Sequence, residues 1–194
     1  MQLGIAVASL QETKAPIILR KISQLEKLLH TKFDFIEGIN NRELMNQLVK
    51  EYPCYTLGSL IRDPNKDIIP QFTEACNLAN ELNIFYLMFG GYQVRINNPD
   101  LSYSKLFHIA REHGLHLLLE PLKGTYPATL TEVIKLQHSF NEYAVHICLK
   151  NTELNKDSLD IILPSYIQNC HISLNLYLKY YDNLCQLPRV TLEL

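Results

Sequence analysis

The sequence predicts an α/β fold, a compact barrel of eight parallel strands with helices between them. Short apolar or β-branched runs alternate with stretches of helical periodicity along the whole chain, and eight such runs can be recognised. No G-x-G-x-x-G or G-x-x-x-x-G-K-[ST] motif marks a turn from strand to helix. An open doubly wound sheet usually has fewer strands and is the less favoured alternative. With 194 residues, of which 47% are hydrophobic, we expect one domain spanning residues 1–194.

The eight candidate strands are mostly apolar, as expected of strands that are buried on both faces. They comprise residues 3–8, 33–39, 54–61, 84–89, 115–120, 144–149, 170–175 and 189–193. Two of the intervening segments, 17–29 and 72–82, carry apolar residues three and four positions apart, which predicts amphipathic helices. Asn40 or Asn41 is expected to cap a helix, and the pair His113-Gly114 is expected to end one.

The sequence ends at Leu194, directly after the eighth candidate strand. This predicts a (β/α)8 barrel that lacks the final closing helix and is leaner than typical examples of about 250 residues. An uncovered apolar surface would then lie beside the first and eighth strands. We expect a partner subunit, in a homodimer, or residues 11–20 of the same chain to cover this surface.

Composition excludes several classes of function. A formal net charge of −2 provides no overall positive field, so nucleic acid is not an expected partner. The five cysteines are scattered and show no C-x-x-C pair, as is typical of reduced thiols in the cytoplasm. The N-terminus lacks the features of a secretory signal, and no run approaches the roughly 20 apolar residues of a membrane helix. The predicted location is therefore cytoplasmic, away from the membrane.

Polar residues at strand ends are the candidate site, because active sites of parallel barrels lie at the C-terminal ends of the strands. Glu120 ends the fifth candidate strand, Glu193 ends the eighth, and His171 lies in the seventh. Alternation places His171, Ser173 and Asn175 on one strand face. Two carboxylates buried near one another are costly without a cation. Glu120, His171 and Glu193 are therefore candidate ligands of a divalent metal, either manganese, zinc, cobalt or magnesium.

Several segments resemble the xylose isomerase-like TIM-barrel superfamily of sugar-phosphate isomerases and epimerases. In chain order they are FDFIEGI, FTEACNLANELNIFYLMFGG, LFHIAREHGLHLLLEPLKGTYPATLTEV, CHISLNL and RVTLEL, which cover most of the chain from about Phe33 onward. The resemblance implies a TIM barrel with Glu120, His171 and Glu193 as metal ligands. It also implies that the two glutamates are a catalytic acid/base pair, which moves a proton on the carbon beside a carbonyl in a small carbohydrate-like substrate.

The chain departs from the family pattern at the sixth strand, where Lys150 stands in the place of a metal-ligating aspartate. In one interpretation the Lys150 ammonium replaces the metal and balances Glu120 and Glu193. In the other it lies on the rim, and Asn151 or a water completes a weakened metal site. Lys150, Asn175 and Arg95 are candidate substrate-binding residues, Arg95 because the FGG segment before it resembles an anion-binding loop of relatives.

Two functions follow from this pattern. The first is a metal-dependent sugar or sugar-phosphate isomerase or epimerase. The alternative is a catalytically inactive barrel, a pseudoenzyme that binds a ligand or a protein, with Lys150 in place of the metal ligand. An endonuclease of the related abasic-site branch is disfavoured, because a site with several metals needs more histidine and aspartate ligands at strand ends.

Overall fold

The structure is a computed structural model that describes residues 1–61, 63, 66–90, 99–121, 126–141, 145–148, 167–179, 181–185 and 187–194. The strands are β1 (Gln2–Ala6), β2 (Phe35–Ile39), β3 (Cys54–Gly58), β4 (Tyr86–Gly90), β5 (His116–Glu120), β6 (Val145–Cys148), β7 (Ile167–Ser173) and β8 (Arg189–Glu193). The helices are α1 (Ala15–Leu29), α2 (Arg42–Leu48), α3 (Ile68–Glu81), α4 (Pro99–Glu112), α5 (Leu130–Ser139), α6 (Leu174–Lys179) and α7 (Tyr181–Leu184). A 3-10 turn (Val7–Leu10) follows β1.

All strand pairs in the eight-stranded sheet are parallel, in the order β5-β4-β3-β2-β1-β8-β7-β6. The strands at the two ends of this order, β5 and β6, also contact each other, so the sheet curls into a barrel. The first and last strands of the chain are neighbours, with Gly4 of β1 opposite Thr191 of β8. This arrangement confirms the predicted α/β barrel, and it aligns the C-terminal ends of the strands at one end of the molecule.

The hydrophobic core lies between the sheet and the surrounding helices. Phe89 of β4 contacts Phe72 of α3 and Tyr103 of α4 edge to face, with ring centroids 6.1 and 6.2 Å apart. All three side chains are fully buried. Aromatic pairs in this geometry stabilise beyond the burial of their area, so α3 and α4 are firmly attached to the outer face of the sheet.

Local signals explain where several elements begin and end. Asn41 caps α2 by accepting a hydrogen bond from the backbone N–H of Leu44 at 3.2 Å, as predicted. Thr129 and Glu132 form a reciprocal capping box at the start of α5. Gly114 follows α4 with φ of +70°, a left-handed conformation that glycine adopts without steric cost.

Most strand boundaries differ from the prediction by one to three residues, and those of the first and seventh strands bear on the site. The first strand ends at Ala6, whose partner is Glu37, and the following residues form the 3-10 turn. The seventh strand ends at Ser173, the partner of Glu193, and the chain enters α6 at Leu174. The end of β7 coincides with the last residue of its partner β8. Asn175 therefore lies in α6, and its expected place on the strand face of His171 is wrong.

Two features considered from composition, membrane-spanning segments and cysteines, can be compared with the described residues. Within those residues no helix is both long and apolar enough to cross a lipid bilayer. Cys54 and Cys76 are buried free thiols, whereas the free thiol of Cys185 is exposed. The single-domain organisation, the lack of a closing helix, the homodimer and the cytoplasmic location stay predictions.

Candidate functional site

Three of the predicted site residues meet at the C-terminal ends of the strands. Glu120 is the last residue of β5 and Glu193 the last of β8, while His171 lies two residues before the end of β7. The Nδ1 atom of His171 is 3.2 Å from Oε1 of Glu193 and 3.9 Å from Oε1 of Glu120. The structure thus brings Glu120, His171 and Glu193 together, and their assigned chemical roles stay predictions.

A fourth member of the site, Glu37, was not among the predicted site residues. Glu37 lies in β2 and is only 3% exposed. Its carboxylate oxygen Oε2 pairs with Nε2 of His171. The sequence did contain a signal, because the run FIEGI places one carboxylate within an otherwise apolar segment. A search for polar residues at strand termini passes over it, since Glu37 is followed by Gly38 and Ile39 before β2 ends.

The electrostatics of the site centre on His171, which is 1% exposed. Burial alone would lower the pKa of His171, but the charges of Glu37 and Glu193 and their contacts with the ring outweigh it and raise the pKa to about 10. In the absence of metal the ring is therefore an imidazolium at neutral pH. This cation balances part of the negative charge of the surrounding carboxylates.

The donor atoms suit a divalent metal in kind, and one of the two measured distances also suits it in spacing. Carboxylate oxygens and an imidazole nitrogen are ligands of zinc, manganese and related ions. Two ligand atoms bound to one ion at about 2.1 Å lie roughly 3.0–3.4 Å apart. The Nδ1–Glu193 distance of 3.2 Å lies within that span, and the Nδ1–Glu120 distance of 3.9 Å lies somewhat beyond it.

The same atoms are arranged as ion pairs in this structure. Among the described residues, no group of three or more histidine, cysteine, aspartate or glutamate side chains is arranged to hold a metal ion. Both ring nitrogens of His171 face carboxylates, and a protonated imidazole is not a ligand. A metal at this place requires that His171 lose a proton and that the carboxylates turn slightly toward the ion.

Arg95, Lys150 and Asn175 stay predicted substrate-binding residues. Arg95 and Lys150 lie outside the described residues. Asn175 lies in α6 rather than in β7. The proposed contacts of Lys150 with Glu120 or Glu193 therefore stay a prediction.

At the opposite ends of the strands, a cation lies against aromatic rings. The guanidinium carbon of Arg189, the first residue of β8, lies 4.3 Å from the ring centroid of Tyr55 and 5.7 Å from that of Tyr86. Tyr86 in turn stacks on His116, with centroids 5.6 Å apart. Cation–π contacts of this kind stabilise a packed layer. The carboxylate cluster and this layer thus occupy opposite ends of the strands.

Comparison with known proteins supports the fold. No protein-family model and no curated protein matches the sequence. A structure of the IOLI protein with a zinc atom matches with a TM-score of 0.66 and 15% identity, over 100% of this chain and 89% of that chain. A D-allulose 3-epimerase from Methylomonas sp. matches with a TM-score of 0.65 and 17% identity, over 100% and 84%.

A xylose isomerase-like TIM-barrel protein from Mycobacterium smegmatis, in complex with magnesium, matches with a TM-score of 0.61 and 12% identity. The match covers 98% of this chain and 89% of that chain. The chain thus has the fold of the xylose isomerase-like TIM barrels, among which are sugar isomerase- and epimerase-like proteins. The resemblance predicted from the sequence is confirmed at the level of the fold.

Proposed function

We propose that this barrel is a metal-dependent isomerase or epimerase that acts on a small sugar or a similar carbonyl compound. The observation that carries the proposal is the convergence of Glu120 and Glu193 on Nδ1 of His171 at the C-terminal ends of the strands. Active sites of parallel barrels lie at this end. Zinc and magnesium in structures with the same fold support a divalent ion as the cofactor.

Glu120, Nδ1 of His171 and Glu193 would hold the ion, and manganese, zinc, cobalt and magnesium all accept this set of donors. When bound, the ion polarises a carbonyl oxygen and so acidifies the carbon beside it. Glu120 and Glu193 lie on different strands, and both face Nδ1 of the ring. One carboxylate would take the proton from the substrate carbon. The other would deliver a proton to the opposite face of that carbon, which inverts the centre, or to the former carbonyl carbon while the proton of the neighbouring hydroxyl passes to the former carbonyl oxygen, which moves the carbonyl.

The first test measures metal and proton transfer separately. Protein purified without chelator is expected to contain stoichiometric divalent metal by mass spectrometry. In deuterium oxide it should exchange the hydrogen on the carbon beside the carbonyl of at least one keto sugar, as seen by NMR. Glu120→Gln and Glu193→Gln should abolish exchange, because an amide cannot act as a base.

A matched control is Glu26→Gln, which changes another buried carboxylate that is not part of the site. This variant should keep its metal and its exchange activity. The proposal is wrong if the unmodified protein binds no divalent metal, or if the exchange survives in both Glu120→Gln and Glu193→Gln.

A second function has its own support, namely that both ring nitrogens of His171 face carboxylates, an arrangement in which an imidazolium can balance their charge. In this alternative the barrel is catalytically inactive and binds a carbohydrate-like ligand or a protein. His171 as an imidazolium, together with Lys150, would then replace the ion. Replacing one buried partner of such a cluster leaves unbalanced charge.

Lys150→Asp separates the two functions. If Lys150 replaces the metal, the variant should melt at a lower temperature in chelator, because a third carboxylate adds repulsion to Glu120 and Glu193. Manganese or zinc should restore that loss, since the new carboxylate is a ligand and binding stabilises the native state. A large metal-dependent rise in the melting temperature of the unmodified protein, with no difference in the variant, would favour the metalloenzyme.

A further inference from the structure

The two ring nitrogens of His171 face different groups. The Nδ1 atom faces the pair formed by Glu193 and Glu120, at 3.2 and 3.9 Å. The Nε2 atom faces Glu37, whose oxygen Oε2 is its hydrogen-bond partner. A neutral imidazole carries one proton, so when one nitrogen binds a metal the other must donate its N–H. The orientation of the ring therefore leaves Nδ1 as the ligand atom and Nε2–H as the donor to Glu37.

Glu37 is held in place by the sheet itself. It pairs with Ala6 of β1 on one side and with Thr56 of β3 on the other, and the side chain is buried. Its second oxygen, Oε1, lies over Gly58 of β3, where an added Cβ would be 3.3 Å from that oxygen and 3.0 Å from Cε of Met88. A larger residue at position 58 would crowd both neighbours. Gly58 thus leaves the space that the Glu37 carboxylate occupies.

We propose that Glu37 is a positioning residue that accepts the Nε2–H of His171 and thereby presents Nδ1 to a metal held with Glu120 and Glu193. The proposal deepens the proposed function and rests on it. Histidine ligands commonly donate their other N–H to a carboxylate, which fixes the tautomer and makes the ligand nitrogen more basic. Glu37 reaches His171 across 134 positions of sequence, and it touches neither substrate nor metal in this role.

The test is the affinity for Co²⁺, measured by calorimetry and by the visible absorption of the ion on metal-free protein. Glu37→Ala removes the acceptor and is expected to weaken binding by about 10- to 100-fold, the usual loss for such a partner. Glu37→Gln keeps an oxygen acceptor without the charge, so its loss should be smaller. Glu26→Gln is the control, because it alters a buried carboxylate on α1 and should leave the Co²⁺ affinity unchanged.

A second measurement does not depend on any variant. The 15N chemical shifts of His171 in Zn²⁺-loaded protein are expected to show the proton on Nε2 and the metal on Nδ1. Circular dichroism verifies that each variant is folded before its affinity is compared.

The outcomes separate the two proposals. If the unmodified protein binds Co²⁺ and Glu37→Ala binds it equally well, or if the proton is found on Nδ1, the role of Glu37 is wrong while the metal site stands. If the unmodified protein binds neither Co²⁺ nor Zn²⁺, both the metal site and the role of Glu37 are wrong. A graded loss from the unmodified protein through Glu37→Gln to Glu37→Ala supports both.

Discussion

Buried glutamates lie in two very different settings in this molecule. Glu26 of α1 accepts hydrogen bonds from Nζ of Lys32 at 2.7 Å, from the backbone N–H of Phe33 at 3.0 Å and from the hydroxyl of Tyr52 at 3.3 Å. These donors precede β2 and β3, near the N-terminal ends of the strands. At the C-terminal ends, three glutamates instead face the single imidazole of His171.

The difference separates a structural contact from a candidate active site. Around Glu26, an ammonium, an amide and a hydroxyl all favour the ionised form. Burial opposes ionisation, yet these donors lower the pKa of Glu26 below its ordinary value. Around His171, like charges are gathered at a cost in stability, and such arrangements with shifted pKa values are typical of functional sites. The first set ties α1 to the segments before β2 and β3, whereas the second is the candidate active site.

The largest expected effect is the loss of stability when His171 is removed in the metal-free protein. His171→Leu leaves the buried Glu37 and Glu120 and the partly buried Glu193 without the imidazolium, and breaking a buried ion pair typically costs about 3–5 kcal/mol. Urea unfolding in the presence of chelator measures the change. A loss below about 1 kcal/mol, the size of a surface ion pair, would show that His171 does not balance these carboxylates.

The contribution of His171 should also decrease at alkaline pH. Its pKa in the folded protein, about 10, is raised above the ordinary value of 6.5, so the stabilisation is complete below about pH 6.5. It is then lost as the pH rises through 10. Urea unfolding from pH 6 to 10 should therefore show a shrinking difference between unmodified protein and His171→Leu. If the difference in unfolding free energy is constant over this range, the ring of His171 is not positively charged in the folded protein.

The next largest effect is expected at the other end of the strands. Glu26→Gln removes the charge of the carboxylate that accepts hydrogen bonds from Lys32, Phe33 and Tyr52. Weakening buried hydrogen bonds of this kind lowers the free energy of unfolding by about 1–3 kcal/mol. The difference in unfolding free energy between Glu26→Gln and the unmodified protein should be the same in chelator and in Zn²⁺. Changes around His171 should instead give a difference that depends on the metal. A metal-dependent difference for Glu26→Gln would mean that the two settings are coupled.

The stabilisation by Glu26 should respond to pH in the opposite direction. Because the pKa of the folded carboxyl is lowered from the ordinary value of 4.5, the stabilisation is present above about pH 4.5. It is lost as the pH falls through the folded pKa. The difference in unfolding free energy between unmodified protein and Glu26→Gln should thus shrink in acid while it is steady from pH 6 to 8.

The smallest effect is predicted for Lys32, whose side chain is 84% exposed although its partner is buried. An exposed ion pair contributes at most about 1 kcal/mol, so Lys32→Ala should destabilise the protein less than Glu26→Gln. In this variant the N–H of Phe33 and the hydroxyl of Tyr52 still donate hydrogen bonds to Glu26. Thermal melts of both variants side by side test this order, which is wrong if Lys32→Ala costs more.

Local pattern was sufficient to predict the barrel and part of its site. Alternating strand and helix periodicity depends on neighbours a few positions apart, so eight strands were recognisable without any long-range information. Carboxylates at the ends of two strands, together with His171, were recognisable for the same reason. Parallel strands align their C-terminal ends, so these residues had to share one end of the barrel.

Tertiary structure decided the rest, because it depends on which strands meet and in which register. Glu37 joins the site only because the barrel brings Glu37 of β2 to His171 of β7. The pairing of β2 with β3 is also irregular between Ile36 and Glu37. A shift by one residue turns a side chain to the other face of a strand. The end of β7 at Ser173, which places Asn175 in a helix, likewise follows from the last partner that β8 offers. Neither the register nor the strand partners are encoded in local periodicity.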